Sequence, residues 1–297
     1  HECEKHGVKI IPDAEIEKVI IEKQGGRAIA RGVHYTQHGQ PREARAPKIL
    51  VTCGTGGTPV VLMRSGYGPR EILGDRLLVE NENIGKHLDG DIGHGVDALF
   101  DTAIKDSYGG VERYDFTISE ANLGYQKLTS RDSKMSSIDE AYPHLLALHS
   151  FAPQLGWEHK NYMKTVCKHF GSIAITIGAA LWDKGIVTPT GKYVYNRRHP
   201  GILKTLKEGT EFIVDLYSKM AIRPTRVNAA PPNRFSIAHQ TSSCRAGESA
   251  QNSVVNSDFE SHDVDNLFVS SAAVIPRGCL SFSHIPVSVV AAYTWRR

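Results

Sequence analysis

The sequence lacks the features that would place it in a membrane or on nucleic acid. It has no run of 18 apolar residues, so no segment is predicted to span a bilayer. Its net charge is +3, and acidic and basic residues are mixed along all 297 positions without a block of Lys and Arg. We therefore expect no nucleic-acid partner and no membrane partner. The composition, 40% hydrophobic and 23% charged, is typical of a globular protein with one large domain or two ordinary ones.

Cysteine patterns that build disulfides or metal sites are also missing. The five cysteines are an odd number without a Cys-x-x-Cys pair; they are Cys3, Cys53, Cys167, Cys244 and Cys279. This pattern disfavours a disulfide framework and a structural zinc site, so we predict no metal centre. No Asn-x-Ser/Thr sequence is present, which argues against glycosylated secretion. We therefore expect a reducing, cytoplasmic location.

Two short motifs that mark common enzyme classes are absent as well. Without a Gly-x-Ser-x-Gly sequence, a serine hydrolase is unsupported. No Gly-x-Gly-x-x-Gly sequence is present, although this is the usual fingerprint of a dinucleotide-binding strand and helix. The glycine-rich run Gly54-Thr55-Gly56-Gly57 lacks that spacing. It follows a strand-like segment, where glycines allow a tight turn or the close approach of a ligand.

The order of apolar and turn residues predicts a mixture of strands and helices. Residues 8–45, which are interrupted by glycine turns, are predicted to form a β-meander. Residues 46–53 are predicted to form a buried strand that leads through the glycine-rich run into a helix beginning near Pro59. Further predicted elements are a strand over 171–181, a long helix over 202–220, a short strand over 267–269 and a final helix over 286–297.

Three segments of the sequence together carry a family resemblance. The first, residues 48–66, combines a strand, a glycine turn, Thr-Pro and a helix, and a Gly-x-x-Leu element follows at Gly85. The second runs from His239 to Gly247 and is similar to the pattern His-x-x-Gly-Thr-Cys-Arg-Met-Gly. The third covers residues 264–276 and closes with His284-Ile285-Pro286. In this order the segments resemble the C-terminal part of the glucose–methanol–choline (GMC) family of FAD-dependent oxidoreductases.

The resemblance implies both a fold and an activity. The implied fold is α+β, the C-terminal portion of a GMC-type FAD-binding domain joined to an antiparallel-sheet substrate domain. Residues 1–91 and 226–297 would form the FAD-binding part, and residues 92–225 the substrate domain. The implied cofactor is FAD. The implied reaction is oxidation of a small-molecule alcohol, a CH–OH donor, by hydride transfer to flavin N5.

The resemblance also assigns functional residues. His239 matches the family's general base, and His284 matches its second catalytic position; an imidazole, with an unperturbed pKa of about 6.5, suits this work. The residues implied to approach the cofactor are Ile16, Gly54, Ser271, Ala272 and Pro286. A structural explanation also stands for several of them: a buried strand residue at Ile16, a tight turn at Gly54 and a packed strand end at Ser271.

Departures from the family pattern leave two alternatives open. The Asp-His that usually follows the Gly-x-x-Leu element is Gly90-Asp91 here, and the family's Asp in the last strand is Ser271. Because the dinucleotide fingerprint is missing, the chain could instead be a fragment or a non-catalytic subunit that needs a separate N-terminal half or a partner chain to bind FAD. A third hypothesis is a carbohydrate- or lipid-binding β-domain over residues 92–180, whose ligand binding would not depend on His239 and His284.

Overall fold

Two large hydrophobic cores organise the described part of the chain, beside a smaller cluster of Val60, Leu88 and Val187. The computed structural model describes residues 2–103, 117–119, 135–140, 156–166, 169–178, 183–229, 231, 235–278 and 284–295. One core lies between a four-stranded sheet and the helix that follows it, and the other lies between a six-stranded sheet and a long helix. This combination of sheets and helices confirms the predicted α+β class.

The first sheet is the predicted meander. Strands β1 (Ala14–Gln24), β2 (Arg27–Gln37) and β3 (Gln40–Arg45) pair antiparallel, and β15 (Val264–Asp265) adds to β2 in parallel. The Gly25-Gly26 turn between β1 and β2 has positive φ at both residues, which suits the tight turn of a hairpin. The prediction is wrong for residues 8–11, which form a loop. Val8 and Ile10 are about half exposed there, so no neighbouring strand buries them.

A short parallel pair leads into the first substantial helix. Strand β4 (Ile49–Val51) pairs with β16 (Leu267–Val269), so both predicted strands are confirmed. Helix α2 (Gly54–Arg64) follows β4 and buries four consecutive residues from Val60 to Met63. The prediction of a helix start near Pro59 is wrong, because the glycine-rich run itself forms the first turn. Gly54 has a φ of +70°, which lets the chain turn into the helix without a steric penalty.

The second sheet has six antiparallel strands around β7 (Asp89–Leu99). On one side of β7 lie β10 (Phe170–Gly178), β9 (Met135–Glu140) and β8 (Thr117–Ser119). On the other side, β13 (Arg226–Ala229) and β14 (Ser236–Thr241) pair with successive parts of β7. The sheet therefore includes strands from both sides of the predicted boundary at residue 225, and the domain boundaries remain predictions.

One face of the six-stranded sheet is covered by α5 (Pro200–Lys219). Ile92, Val96 and Ala98 alternate along β7 and pack with Leu206 and Ile213 of this helix. The opposite face of β7 carries the intervening residues, because side chains alternate between the two faces of a strand. The long helix predicted over 202–220 is thus confirmed. Its first turn is stabilised by His199, whose Nδ1 accepts a hydrogen bond from the backbone N–H of Gly201.

Short elements complete the described chain. They are α1 (Glu2–Lys5), β5 (Tyr67–Gly68), α3 (Arg70–Leu73), β6 (Val79–Glu80), α4 (Gly156–Val166), β11 (Ile186–Val187), β12 (Tyr193–Val194) and α6 (His284–Trp295), with 3₁₀ turns at Gly74–Arg76 and Ala272–Val274. Among the described residues, no helix has the length and apolar character needed to cross a bilayer. Three cysteines are free thiols, Cys3, Cys53 and Cys244, whereas Cys167 and Cys279 lie outside the described residues.

Candidate functional site

The structure brings the three segments of the sequence resemblance into direct contact. The Thr55 hydroxyl, in the first turn of α2, donates to the backbone carbonyl of Gln240 at 2.6 Å. Two residues after Gln240, the backbone N–H of Ser242 donates to the carbonyl of Ala272 at 3.1 Å. The N–H of Cys244 similarly donates to the carbonyl of Ala273 at 3.0 Å. The start of α2, the segment after His239 and the 3₁₀ turn that follows β16 therefore form one junction.

Ser243 completes this junction by satisfying a carbonyl that the helix itself cannot bond. In a regular helix the carbonyl of Thr55 would accept from the N–H of residue 59, but Pro59 has no N–H. The Ser243 hydroxyl donates to that carbonyl instead, at 2.6 Å. Both Ser243 and Thr55 are buried, so water cannot reach the Thr55 carbonyl. The Ser243 hydroxyl therefore supplies the hydrogen bond that the carbonyl needs.

His239 lies at an irregularity of β14. Ala238 pairs with Asp91 and Thr241 pairs with Asp89, so His239 and Gln240 stand opposite the single residue Gly90. Such a bulge turns a side chain away from the direction that regular pairing would give it. His239 has a φ of +50°, a left-handed conformation that is costly for a residue other than glycine and that often occurs at functional sites.

The redirected imidazole contacts a carboxyl group on the neighbouring strand. Nδ1 of His239 lies 2.9 Å from Oδ2 of Asp91. The imidazole is 33% exposed, whereas the Asp91 side chain is only 7% exposed. Burial raises the pKa of Asp91 to about 6, although the bond and charge of His239 oppose the shift, and the nearby Asp89 carboxylate adds to it. The Asp91 carboxyl group therefore binds a proton at a higher pH than an exposed aspartate does.

Asp89 ties the same end of β7 to two other segments. Its side chain is fully buried and accepts hydrogen bonds from the N–H groups of Gly90 and Gly278 at 2.9 Å each, and from the Lys184 ammonium at 3.2 Å. The backbone of Gly278 approaches so closely that a Cβ there would lie 2.7 Å from Cγ of Asp89. Asp89 thus holds Gly278 against the strand that carries Asp91.

Two further groups in this region are held in their neutral forms. Burial lowers the pKa of His87 to about 4, and the positive charges of Arg245, Lys184 and Lys86 act in the same direction. Burial raises the pKa of the Cys244 thiol to about 12, so this cysteine is a packing residue and not a nucleophile.

The predicted cofactor residues occupy different surroundings. Gly54 opens α2 with open space where a Cβ would stand. Ser271 precedes the 3₁₀ turn, where its hydroxyl accepts from the N–H of Ala273 at 3.2 Å, and Ala272 bonds the His239 segment. Ile16, on β1, is partly buried against the first core. Pro286 is partly buried in the first turn of α6. These roles remain predictions.

The two predicted catalytic residues are described to different extents. His239 lies at the bulge of β14, with its Nδ1 against Asp91. His284 is the first residue of α6, and its side chain lies outside the described part of the chain. Asp91 and Asp89 were not among the predicted site residues. The signal for Asp91 was the departure Gly90-Asp91 from the family's Asp-His, but only the fold shows that this carboxylate meets His239. Among the described residues, no group of three or more His, Cys, Asp or Glu could hold a metal ion.

Comparison with known proteins identifies the family to which the chain belongs. Models of the GMC oxidoreductase family match residues 1–89, with the N-terminal model, and residues 196–291, with the C-terminal model. The oxygen-dependent choline dehydrogenase of Chromohalobacter salexigens is 40% identical over 73 residues, which are 23% of this chain and 13% of that protein.

Solved structures share the fold at low sequence identity. A formate oxidase superposes with a TM-score of 0.74 and 17% identity, over 96% of this chain and 60% of that one. Pyridoxine 4-oxidase from Mesorbium loti superposes with a TM-score of 0.67 and 16% identity, over 95% of this chain and 56% of that one. The chain therefore spans little more than half the length of these relatives. At such identities, the likeness establishes the fold alone.

Proposed function

Because the chain belongs to the GMC oxidoreductase family, we propose that it forms the catalytic part of an enzyme that oxidises an alcohol. FAD, the cofactor predicted from the sequence, is the cofactor of this family. The observation that carries the proposal is the junction of the α2 start, the His239 segment and the Ser271–Ala273 turn. These are the segments on which the resemblance places the base and the cofactor contacts.

The described residues fit one part of an FAD site. At Gly54 the absence of a side chain leaves open space beside the first turn of α2, whose N–H groups favour an anionic or polar ligand. Ser271 and Ala272 border the same junction through the bond from Ser242 to Ala272. These three residues would hold the cofactor, and bound FAD would supply the acceptor for the hydride of the alcohol carbon.

His239 is the base in the proposed reaction. The oxidation removes a proton from the hydroxyl oxygen as the hydride leaves the carbon, so a base within about 3 Å of the hydroxyl is required. His239 is positioned by the bulge of β14, and its side chain is 33% exposed, which gives a substrate access to the ring. We assign His284 the second position, where it would orient the hydroxyl. General-base help of this kind is worth roughly 10²–10⁴-fold in rate.

An absorbance experiment tests the proposal. The chain is purified, supplied with FAD, separated from free cofactor and mixed with alcohols under anaerobic conditions. Formate, which has no alcohol group, is the comparison donor. We expect the visible flavin absorption to bleach with an alcohol. His239→Ala should retain FAD but bleach at least 100-fold more slowly, on the scale of general-base catalysis. His38→Ala is a matched control, because His38 also has a left-handed backbone but lies at the turn between β2 and β3. Bleaching of the flavin by formate but by none of the alcohols would contradict an alcohol substrate.

A second candidate is a chain that needs a separate dinucleotide-binding segment to retain FAD. Strands β4 and β16 form a two-stranded parallel pair in which Leu50 is 51% exposed, although parallel strands are usually covered on both faces. The sequence also contains no Gly-x-Gly-x-x-Gly. Retention of stoichiometric FAD by this chain alone would contradict this candidate. Loss of FAD on gel filtration would favour it.

A further inference from the structure

Asp91 contacts the proposed base directly, and neither the family pattern nor the reaction above assigns it a role. We propose that Asp91 is a positioning residue, which holds the proton of His239 on Nδ1 so that Nε2 is the nitrogen that receives the alcohol proton. The second half of this statement rests on the proposed function. The first half concerns the chain alone and can be tested without cofactor or substrate.

The geometry fixes which partner donates. An ionised carboxylate can only accept hydrogen bonds, so at 2.9 Å the Nδ1 of His239 must be the donor whenever Asp91 is ionised. A neutral imidazole carries a single N–H, and the Asp91 bond therefore selects one tautomer. The carboxylate is 7% exposed, so little water is available to compete for it.

The backbone around Asp91 is built to allow this contact. Gly90 stands opposite the two residues of the bulge, and a Cβ at Gly90 would lie 2.9 Å from the carbonyl oxygen of Ala238. A side chain at residue 90 would therefore push β14 away. Gly90 and Asp91 replace the family's Asp-His as a pair: the glycine admits the bulge, and the aspartate meets the side chain that the bulge redirects.

The charge of Asp91 would also assist the reaction. When His239 accepts a proton, the imidazolium is stabilised by an adjacent buried carboxylate. Within the part of the chain that the structure describes, the titratable groups that act on Asp91 are His239 from β14 and Asp89 from the same strand; Lys184 bonds Asp89. The pKa of Asp91, raised to about 6 chiefly by burial, means that the carboxylate is mostly ionised above that pH.

The test observes His239 itself. In the full chain with ¹⁵N-labelled histidine, two-bond ¹H–¹⁵N spectra at about pH 7.5, above the Asp91 pKa, report which ring nitrogen carries the proton. We expect the Nδ1–H tautomer in the wild-type chain. Asp91→Ala removes the acceptor, and Asp91→Leu removes it while keeping a side chain of similar shape. Both variants should shift His239 toward Nε2–H. Asp97→Asn is the control, because Asp97 lies on the same face of β7 but bonds Ser172 at 2.7 Å.

The possible outcomes separate the two proposals. An unchanged His239 tautomer in Asp91→Leu, which offers no acceptor, would overturn the positioning role, whatever the enzyme does. A changed tautomer accompanied by a roughly 100-fold lower kcat and a nearly constant KM in the FAD-loaded enzyme would support both proposals. A changed tautomer without any effect of His239→Ala on turnover would support the positioning role and overturn the proposed base. If Asp91→Ala does not fold, Asp91→Leu, which fills the buried space without an acceptor, still decides the question.

Discussion

The Ser243 hydroxyl donates to the backbone carbonyl of Thr55 at 2.6 Å, across 188 positions of the sequence. The bond exists because Pro59, inside α2, removes the N–H that would otherwise bond this carbonyl. A proline inside a helix usually destabilises it. Here the carbonyl that loses its helical donor accepts a hydrogen bond from the segment that follows His239. One side chain thereby links the folding of the helix start to the placement of the proposed base.

Ser243→Ala should destabilise the chain by about 1–3 kcal/mol, because it leaves the buried carbonyl of Thr55 without this donor. Urea denaturation measures the loss. Ser218→Ala is the matched control: its hydroxyl also donates to a backbone carbonyl, that of Asp215, but at an exposed site on α5. The control should change stability by no more than about 0.5 kcal/mol. Equal losses in both variants would argue against a special role for the junction.

Gly278→Ala should also destabilise the chain, by about 1–3 kcal/mol, since the new Cβ would come within 2.7 Å of the buried Asp89 carboxyl carbon. Gly95→Ala provides the comparison on β7, where the nearest atom to a new Cβ is the Ser172 hydroxyl at 3.4 Å, an ordinary contact. Thermal unfolding of both variants checks the expectation. If the Gly278→Ala chain is as stable as the Gly95→Ala chain, Asp89 and Gly278 can move apart at little cost in stability.

Much of the fold was accessible from the sequence because local patterns agree with tertiary structure there. The meander follows from strand-like runs separated by glycine turns, and α5 follows from its apolar spacing. The start of α2 was misplaced because its glycines signal a turn, whereas in the fold they belong to the first turn of the helix, where Thr55 bonds the His239 segment. Residues 8–11 have a strand-like composition but no partner strand.

The site was predictable only in part, for a physical reason. His239 could be found because its flanking residues match a family pattern. Its contact with Asp91 depends on a two-residue irregularity in strand pairing, and pairing between strands about 150 residues apart leaves no local trace. Asp89 was missed for the same reason, since its partners Lys184 and Gly278 come from distant loops.

Gly54→Ala tests the predicted cofactor contact at the start of α2. Gly54 has a φ of +70° and open space around a new Cβ, and Gly25, in the β1–β2 turn, matches it with +60° and open space. Both substitutions should cost about 1 kcal/mol of backbone strain. If FAD lies against Gly54, Gly54→Ala alone should weaken FAD retention, by roughly tenfold or more for a contact worth about 1.4 kcal/mol. Fluorescence titration with FAD, with stability measured in parallel, distinguishes the two effects.

The pH dependence of stability tests the state of Asp91. Burial raises the pKa of Asp91 from 3.8 to about 6, so between these values the folded chain binds more protons at this site than the unfolded chain. The contribution of Asp91 to the free energy of unfolding is therefore largest below about pH 4 and declines as the pH rises through about 6, by at most about 3 kcal/mol.

Asp91→Asn cannot titrate, so its stability relative to the wild-type chain should improve as the pH rises from about 4 to about 7. Urea denaturation of both chains at these two values measures the change. Asp215→Asn, at a carboxylate that is 54% exposed on α5, should show a much smaller change, because solvent screens its interactions. If Asp91→Asn instead loses stability relative to wild type as the pH rises, the ion pair with His239 outweighs burial. Asp91 would then be ionised throughout this range.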